Sequence, residues 1–239
     1  MYYKTCKFKL MKILCLICAR GGSKGIKNKN LLKISNISLI GHSVKMAKKI
    51  NSFCKIVVST DSTKIAKEAK KYGAEVPFLR PKNISKSSSA EIDAWKHAIN
   101  FFKRKKIFFD AVVSLPCTSP LRKINDVKRC IKKFKTKKFN TIIAVKKSLR
   151  NPYFNIVEKK ADSFFNIVIK SKKYIHNRQV APVTFDVSTV CFISETKYIL
   201  KNNNLFNGKV GVVEVSPFSA LDIDNLFDYK LAKLIYEKK

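Results

Sequence analysis

A chain of 239 residues with 46% hydrophobic content can bury the core of one α/β domain with a small appended subdomain, and no apolar run reaches transmembrane length. Its net charge of +34 would suit nucleic acid, a membrane surface or anionic small molecules, yet lysine is spread over every segment beside abundant Asn, which reads as compositional bias with solvated faces. Seven scattered cysteines, an odd number, argue against a disulfide framework and fit reduced thiols in a cytoplasmic protein.

In chain order, residues 1–11 read as a basic extension. Lys12 interrupts the apolar run that follows, and cleavage near Ala19 would remove a strand, so a leader peptide is rejected. Residues 13–19 are that strand. Cys15 and Cys18 fall on its opposite faces and cannot share a metal. A helix over 38–50 turns Leu39, Ile40, Val44, Ala47 and Ile50 to one side, with His42 near its start in no chemical role. A strand over 55–59 ends at Ser59-Thr60-Asp61-Ser62, which offers an N-cap to a helix over 62–72 closing at Gly73. A short strand is expected over 75–79, then a serine-rich loop over 82–90, flexible or ordered by ligand. A helix over 91–103 follows, with Trp95, Ala98, Ile99 and Phe102 at core spacing. Strand 110–115, helix 124–134 and strand 141–146 complete units that predict parallel pairing with right-handed crossovers. The alternation breaks over 151–187, where two strand-like runs (153–157 and 164–169) and a polar loop suggest an excursion from the sheet. Strand 187–194, helix 195–201, strand 209–215 and a terminal helix over 225–237 end the chain.

Three of the seven glycines, Gly21, Gly22 and Gly25, fall within five residues just after the first strand. Bare backbone there can line an anion cradle, surrounded by Arg20, Lys24, Lys27 and Lys29, at the strand edge where open α/β sheets bind ligands. Neither a P-loop nor a dinucleotide fingerprint is present. The alternative is an ordinary turn with solvated lysines.

Several stretches resemble one family, the acylneuraminate cytidylyltransferases or CMP-sialic acid synthetases. Ala19-Arg20-Gly21-Gly22-Ser23-Lys24-Gly25 with Lys29-Asn30 is similar to its signature. Ser59-Thr60-Asp61, Leu79-Arg80-Pro81, Thr118-Ser119-Pro120-Leu121-Arg122 and Asp222-Ile223-Asp224 follow in its order, so that the likeness spans about residues 12–236. The resemblance implies a Rossmann-like α/β fold of the nucleotide-diphospho-sugar transferase type, with a mostly parallel sheet flanked by helices and a small dimerisation subdomain. It implies a nucleotide-binding core over 12–146 resumed over 188–239, with 147–187 as the dimerisation and sugar-contact insert of a homodimer. The implied reaction joins CTP and a nine-carbon 2-keto sugar acid to give the CMP-sugar and pyrophosphate, with no part for nucleic acid or membrane.

By the same resemblance, Arg20 and Lys24 neutralise the triphosphate and departing pyrophosphate. Ala19 to Lys24, Lys29, Asn30 and Arg80 contact the nucleotide, while Thr118, Ser119, Arg178 and Gln179 contact the sugar. Asp222 and Asp224, two apart in an extended segment, project from one face and suit Mg²⁺ bridging phosphate oxygens; the alternative is that Asp224 caps the helix that follows. Departures cluster on the sugar side. Pro116-Cys117 replaces Gln-Pro, Phe154 stands where the sialate enzymes have Lys, and Asp186 where they have Arg. Arg178-Gln179 with Ala181-Pro182 and Asp186 looks like the branch acting on legionaminic acid or other bacterial nonulosonates.

Overall fold

The computed structural model describes residues 10–23, 25–161, 163–173 and 175–238. Most of the proposed N-terminal extension and Lys24 lie outside them. Two short strands, β2 (Lys33–Ile34) and β3 (Ile37–Ser38), pair with each other, and six others form one sheet in the order β10 (Val210–Glu214), β6 (Thr141–Lys147), β9 (Phe185–Glu195), β5 (Ala111–Ser114), β1 (Ile13–Cys18) and β4 (Phe53–Ser59). β1 lies between β5 and β4, and its first five residues are fully buried. A continuous apolar strand of that kind belongs inside a parallel sheet covered on both sides. β1 pairs in parallel with β4 (Phe53–Ser59) and with β5 (Ala111–Ser114). β6 (Thr141–Lys147) and β10 (Val210–Glu214) form the other parallel pair.

Between the two pairs runs β9 (Phe185–Glu195), antiparallel to both neighbours. The sheet is therefore mostly parallel, with one strand reversed. The excursion before β9 supplies that reversal, because the chain returns to the sheet at the same end at which it left. It leaves after Lys147 and re-enters at Phe185, where these two residues pair. In between lies a separate hairpin of β7 (Val157–Lys159) and β8 (Phe165–Ile167). The run over 153–157 is mainly turn rather than strand, and pairing is confined to three residues on each side.

Two apolar layers flank the sheet. On one face Cys15 and Ile17 pack with α1 (Leu39–Lys48) and α4 (Ile124–Phe134). On the other, Leu14 and Leu16 meet Trp95, Ala98, Ile99 and Phe102 of α3 (Glu91–Arg104). Each of the buried Leu, Ile and Phe side chains contributes about 1.5–3 kcal/mol by leaving water. Cys18 packs beside the second layer, away from Cys15. Among the described residues six cysteines are unbridged, and no helix is long and apolar enough to cross a membrane.

The helix over 63–71, α2 (Thr63–Lys71), has Ser62 as its N-cap, Oγ accepting from the Ile65 amide. The expected strand over 75–79 is a single parallel bridge. Glu75 donates to Ile56 and accepts from Val58, and then Pro77 has no N–H to continue a ladder. α5 (Thr196–Lys201) and α6 (Leu226–Glu237) close the chain. Helices α1 to α5 all carry Lys or Arg in the last turn, where cations favour the helix dipole. Part of the high charge is accommodated this way.

His42 is buried, its Nε2 at 2.9 Å from the Ile34 carbonyl and its ring edge-on to Tyr236. Burial pushes its pKa below the ordinary histidine value. The unfolded chain takes up a proton as pH falls through about 6.5 while the folded ring stays neutral. Stability is therefore complete above that pH and declines below it until the folded pKa is passed. Urea midpoints measured from pH 7.5 to 5 should fall, and less steeply in His42→Gln; equal slopes would show that this imidazole is charged in the fold.

Candidate active site

The glycine loop leaves β1 at its carboxyl end, with the Ala19 amide held by Ser59 O at 3.0 Å. Gly21 donates its N–H to Asp61 Oδ1 at 2.8 Å, so that amide is satisfied within the protein rather than free for an anion. A Cβ on Gly21 would lie 3.1 Å from Ser62 Cβ. Gly22 faces open space, and Ser23 N–H turns back to Gly21 O. Gly25 has the tightest surroundings, since a Cβ there would sit 2.3 Å from the Asp224 carbonyl oxygen. The glycines at 21 and 25 serve close backbone approach, and the loop presses directly on the far-C-terminal Asp-Ile-Asp segment.

Lys29, in a 3-10 turn over 29–31, binds that segment as well. Its Nζ donates to Ile223 O at 2.7 Å and lies 3.2 Å from Asp224 Oδ1. Asn30 is buried and donates to Arg20 O at 2.9 Å, fixing the loop from beneath. Both residues, expected to contact nucleotide, are engaged with the protein. Thr118 and Ser119, expected to contact sugar, also support the acidic segment. Thr118 O accepts from Ile223 N at 2.9 Å, and Ser119 Oγ is 2.6 Å from Thr189 Oγ1.

Asp222 is the more buried of the two acids. Burial raises its pKa, the Thr118 hydroxyl beside it pulls the other way, and the like charge of Asp224 adds to the rise. Its Oδ1 is buried with no hydrogen-bond partner among the described residues. Asp224 is exposed, and it does not cap α6. That task falls to Asn225, whose Oδ1 accepts from Asp228 N, while Asp228 Oδ2 accepts from the amides of Asp224 and Asn225. Neither carboxylate is thus spent on the helix cap, and Asp224 is engaged by Lys29 through Oδ1. An orphaned carboxylate oxygen beside a second acid and two threonine hydroxyls is an all-oxygen donor set that fits a hard divalent cation.

A cleft of about 240 Å³ opens beside the loop, lined by Cys18, Arg20, Arg80, Glu91 and the serine-rich segment, Ser85, Ser87 and Ser89 among it. Arg80 is buried, held through its amide to Thr60 O at 2.7 Å, and its Nε donates to Ser85 Oγ at 3.1 Å. Glu91 faces the cleft from the start of α3; its Oε1 accepts from Ser114 Oγ at 2.7 Å and Trp95 Nε1 at 3.0 Å. Sequence reasoning passed over Glu91, Thr189 and the Asp61 contact. A first-turn carboxylate reads as helix-dipole complement, and Thr189 sits inside a strand; the surplus of serines before Glu91 was the available signal.

Arg122 underpins the neighbouring loop. It is buried, Nε donating to Ser119 O at 2.9 Å and Nη2 to Pro116 O, and burial lowers its pKa to about 10. Arg178 and Gln179 are not brought to this cleft. They are exposed on the excursion, with Arg178 Nη2 donating to Leu149 O at 2.6 Å. Asp186 pairs with Ser148 Oγ at 2.6 Å and Lys146 Nζ at 3.5 Å.

A fold of this type, with cationic loop, cleft and acid pair all at one edge of the sheet, is that of a nucleotidyltransferase. A protein-family model described as cytidylyltransferase matches residues 14–219. The chain is 34% identical over 235 residues to the post-translational flagellin modification protein B of Campylobacter coli, covering 96% of this chain and 97% of that one. It is 35% identical over 232 residues to the CMP-N,N'-diacetyllegionaminic acid synthase of Campylobacter jejuni, with the same coverage. A solved CMP:2-keto-3-deoxy-manno-octonic acid synthetase, complexed with CTP, shares the fold at TM-score 0.71 and 14% identity, over 95% of this chain and 99% of that one. The chain belongs to the cytidylyltransferase family, in its nonulosonate CMP-synthetase group, and is an enzyme.

Because Gly25 touches the Asp224 carbonyl, Gly25→Ala must displace the acidic segment. A misplacement of about 1 Å can cost roughly 100-fold in rate. We expect a loss of that order in pyrophosphate release, with circular dichroism unchanged and the melting temperature lower by a few degrees; full activity would show the contact to be dispensable.

Proposed function

We propose that the protein transfers the cytidylyl group of CTP to a nine-carbon 2-keto sugar acid of the legionaminic type. The observation that carries this reading is the contact between the glycine loop and the Asp222-Ile223-Asp224 segment, in which Asp222 Oδ1 is buried without a partner among the described residues. The anomeric hydroxyl oxygen bonds to the α-phosphorus and gives up its proton. The bond from that phosphorus to the bridging oxygen breaks, and pyrophosphate leaves with its electron pair. Such a transfer asks for positioning and charge stabilisation rather than covalent chemistry by the protein.

Arg20, which has no ion pair among the described residues, faces the cleft and supplies positive charge where the triphosphate lies. Lys24, the next cation of the loop, adds to it. Arg80 and the serine hydroxyls receive the nucleoside end. Asp222 and Asp224 would hold a divalent cation, Mg²⁺ in this reading, which would supply positive charge to the phosphate oxygens. Lys29 keeps the two acids on the glycine loop. The legionaminic assignment is supported by the relatives' names and by the altered sugar-side residues Pro116, Phe154 and Asp186.

The excursion over 148–184 is proposed as the homodimer contact. Val157, Phe165, Val168, Val180 and Val183 leave substantial apolar surface exposed along it, more than a solvated hairpin needs. A second copy covering it would bring Arg178 and Gln179 toward the partner's sugar subsite, where Arg178 could clamp the substrate carboxylate. A cytoplasmic site of action accords with the unbridged cysteines.

Pyrophosphate release with Mg²⁺ should appear with CTP and legionaminate and be much weaker with N-acetylneuraminate; equal rates would remove the sugar assignment. Asp224→Asn should abolish turnover while melting as the parent does, and a fully active variant would remove the metal assignment. In light scattering the protein should run as a dimer, a monomer being incompatible with a shared sugar subsite.

A further inference from the structure

The cleft beside the glycine loop is lined by two arginines and several serines, and one carboxylate among them stands out. In a triphosphate site an acid is useful only where it meets a metal ion or a neutral donor, and Glu91 is not one of the pair assigned to the cation. Glu91 is not there to cap its own helix, since α3 has Ala90 as N-cap and no side-chain cap bond. Its carboxylate is turned inward instead. Oε1 takes hydrogen bonds from Ser114 Oγ at 2.7 Å and Trp95 Nε1 at 3.0 Å, both from fully buried residues of different elements. The Cys18 thiol, at the end of β1, adjoins the same carboxylate. Donors from α3 and β5 thus hold the group in one orientation, as a preorganised acceptor requires. Glu91 itself stays accessible from the cleft, and no ion pair neutralises it among the described residues.

We infer that Glu91 is a nucleoside-recognition residue, accepting a hydrogen bond from a neutral donor on the bound nucleotide. Two groups on CTP have that chemistry. One is the exocyclic amine of cytosine, which a carboxylate accepts from well. The other is a ribose hydroxyl, the partner acids take in dinucleotide sites. The inference rests on the cytidylyltransferase reading and assigns within it a residue that neither phosphate nor sugar acid would explain. In Glu91→Gln the carboxamide oxygen can still accept from Ser114 and Trp95. Its NH₂ then faces the ligand's donor and opposes it.

Trp95 is the single tryptophan of the chain and donates to Glu91, so its fluorescence reports occupancy at this carboxylate. The test titrates the full-length protein with CTP, UTP and dCTP without sugar acid. The wild type should bind CTP more tightly than at least one of the other two. Glu91→Gln should lower that ratio about tenfold or more, the worth of one hydrogen bond to a charged group. Collapse of the CTP/UTP ratio identifies the amine; collapse of the CTP/dCTP ratio identifies the ribose hydroxyl. Ratios unchanged in Glu91→Gln, or a wild type with no preference, overturn the inference. Should Glu91→Gln not fold, Glu91→Asp, which keeps the charge but withdraws it by one methylene, should lower the same ratio. A wild type that releases no pyrophosphate from CTP with any nonulosonate defeats the broader reading instead.

Discussion

The site depends on one backbone contact between residues far apart in the chain. Gly25 lies against the Asp224 carbonyl so closely that no side chain fits between them. The Lys29 ammonium closes the same junction, bonding Ile223 O and Asp224 Oδ1. Neither contact is strong alone. Lys29–Asp224 is an ion pair whose acid is exposed, and such pairs contribute little. Their effect is geometric. A loop of positive charge and a segment of negative charge are kept at a fixed distance.

The sheet makes that junction possible. β1, β4 and β5 run in parallel, so the glycine loop, the Asp61 turn and the loop after β5 all leave at one edge. Arg122 then fixes the last of these from inside the core by holding the Pro116 and Ser119 carbonyls. A buried guanidinium is costly to place, and replacing it would leave those carbonyls without their donor. Thr118, in the middle of that loop, carries the backbone bond to Ile223. Buried charge in the core and the position of the acid pair are thus linked through four residues of loop.

Much of this was legible in the sequence. The apolar run of β1 and the clustering of glycine after it located the loop, because a chain so poor in glycine spends it only where backbone must come close. The direction of β9 was not legible, since a strand's composition is the same whichever way it runs. The reach of residues 75–79 was overestimated because their apolar pattern outweighed Pro77, whose missing donor decides the matter. Lys29 and Asn30 were expected to face nucleotide. A cation near glycines suggests phosphate, and only the three-dimensional closeness of residue 224 gives Lys29 its nearer partner. The alternative of a helix cap for Asp224 fell for a similar reason, Asn225 and Asp228 having formed the cap between themselves. Arg178 and Gln179 stand away from the cleft of their own chain, which one chain's sequence could not disclose.

The central claim is that loop, cleft and acid pair make one nucleotide site. A crystal soaked with CTP and Mn²⁺, its metal located by anomalous scattering, tests this most directly. The account predicts the anomalous peak within about 2–2.5 Å of carboxylate oxygens of Asp222 and Asp224, with the triphosphate along the glycine loop beside Arg20. A metal bound elsewhere, or a triphosphate away from residues 20–25, would contradict it.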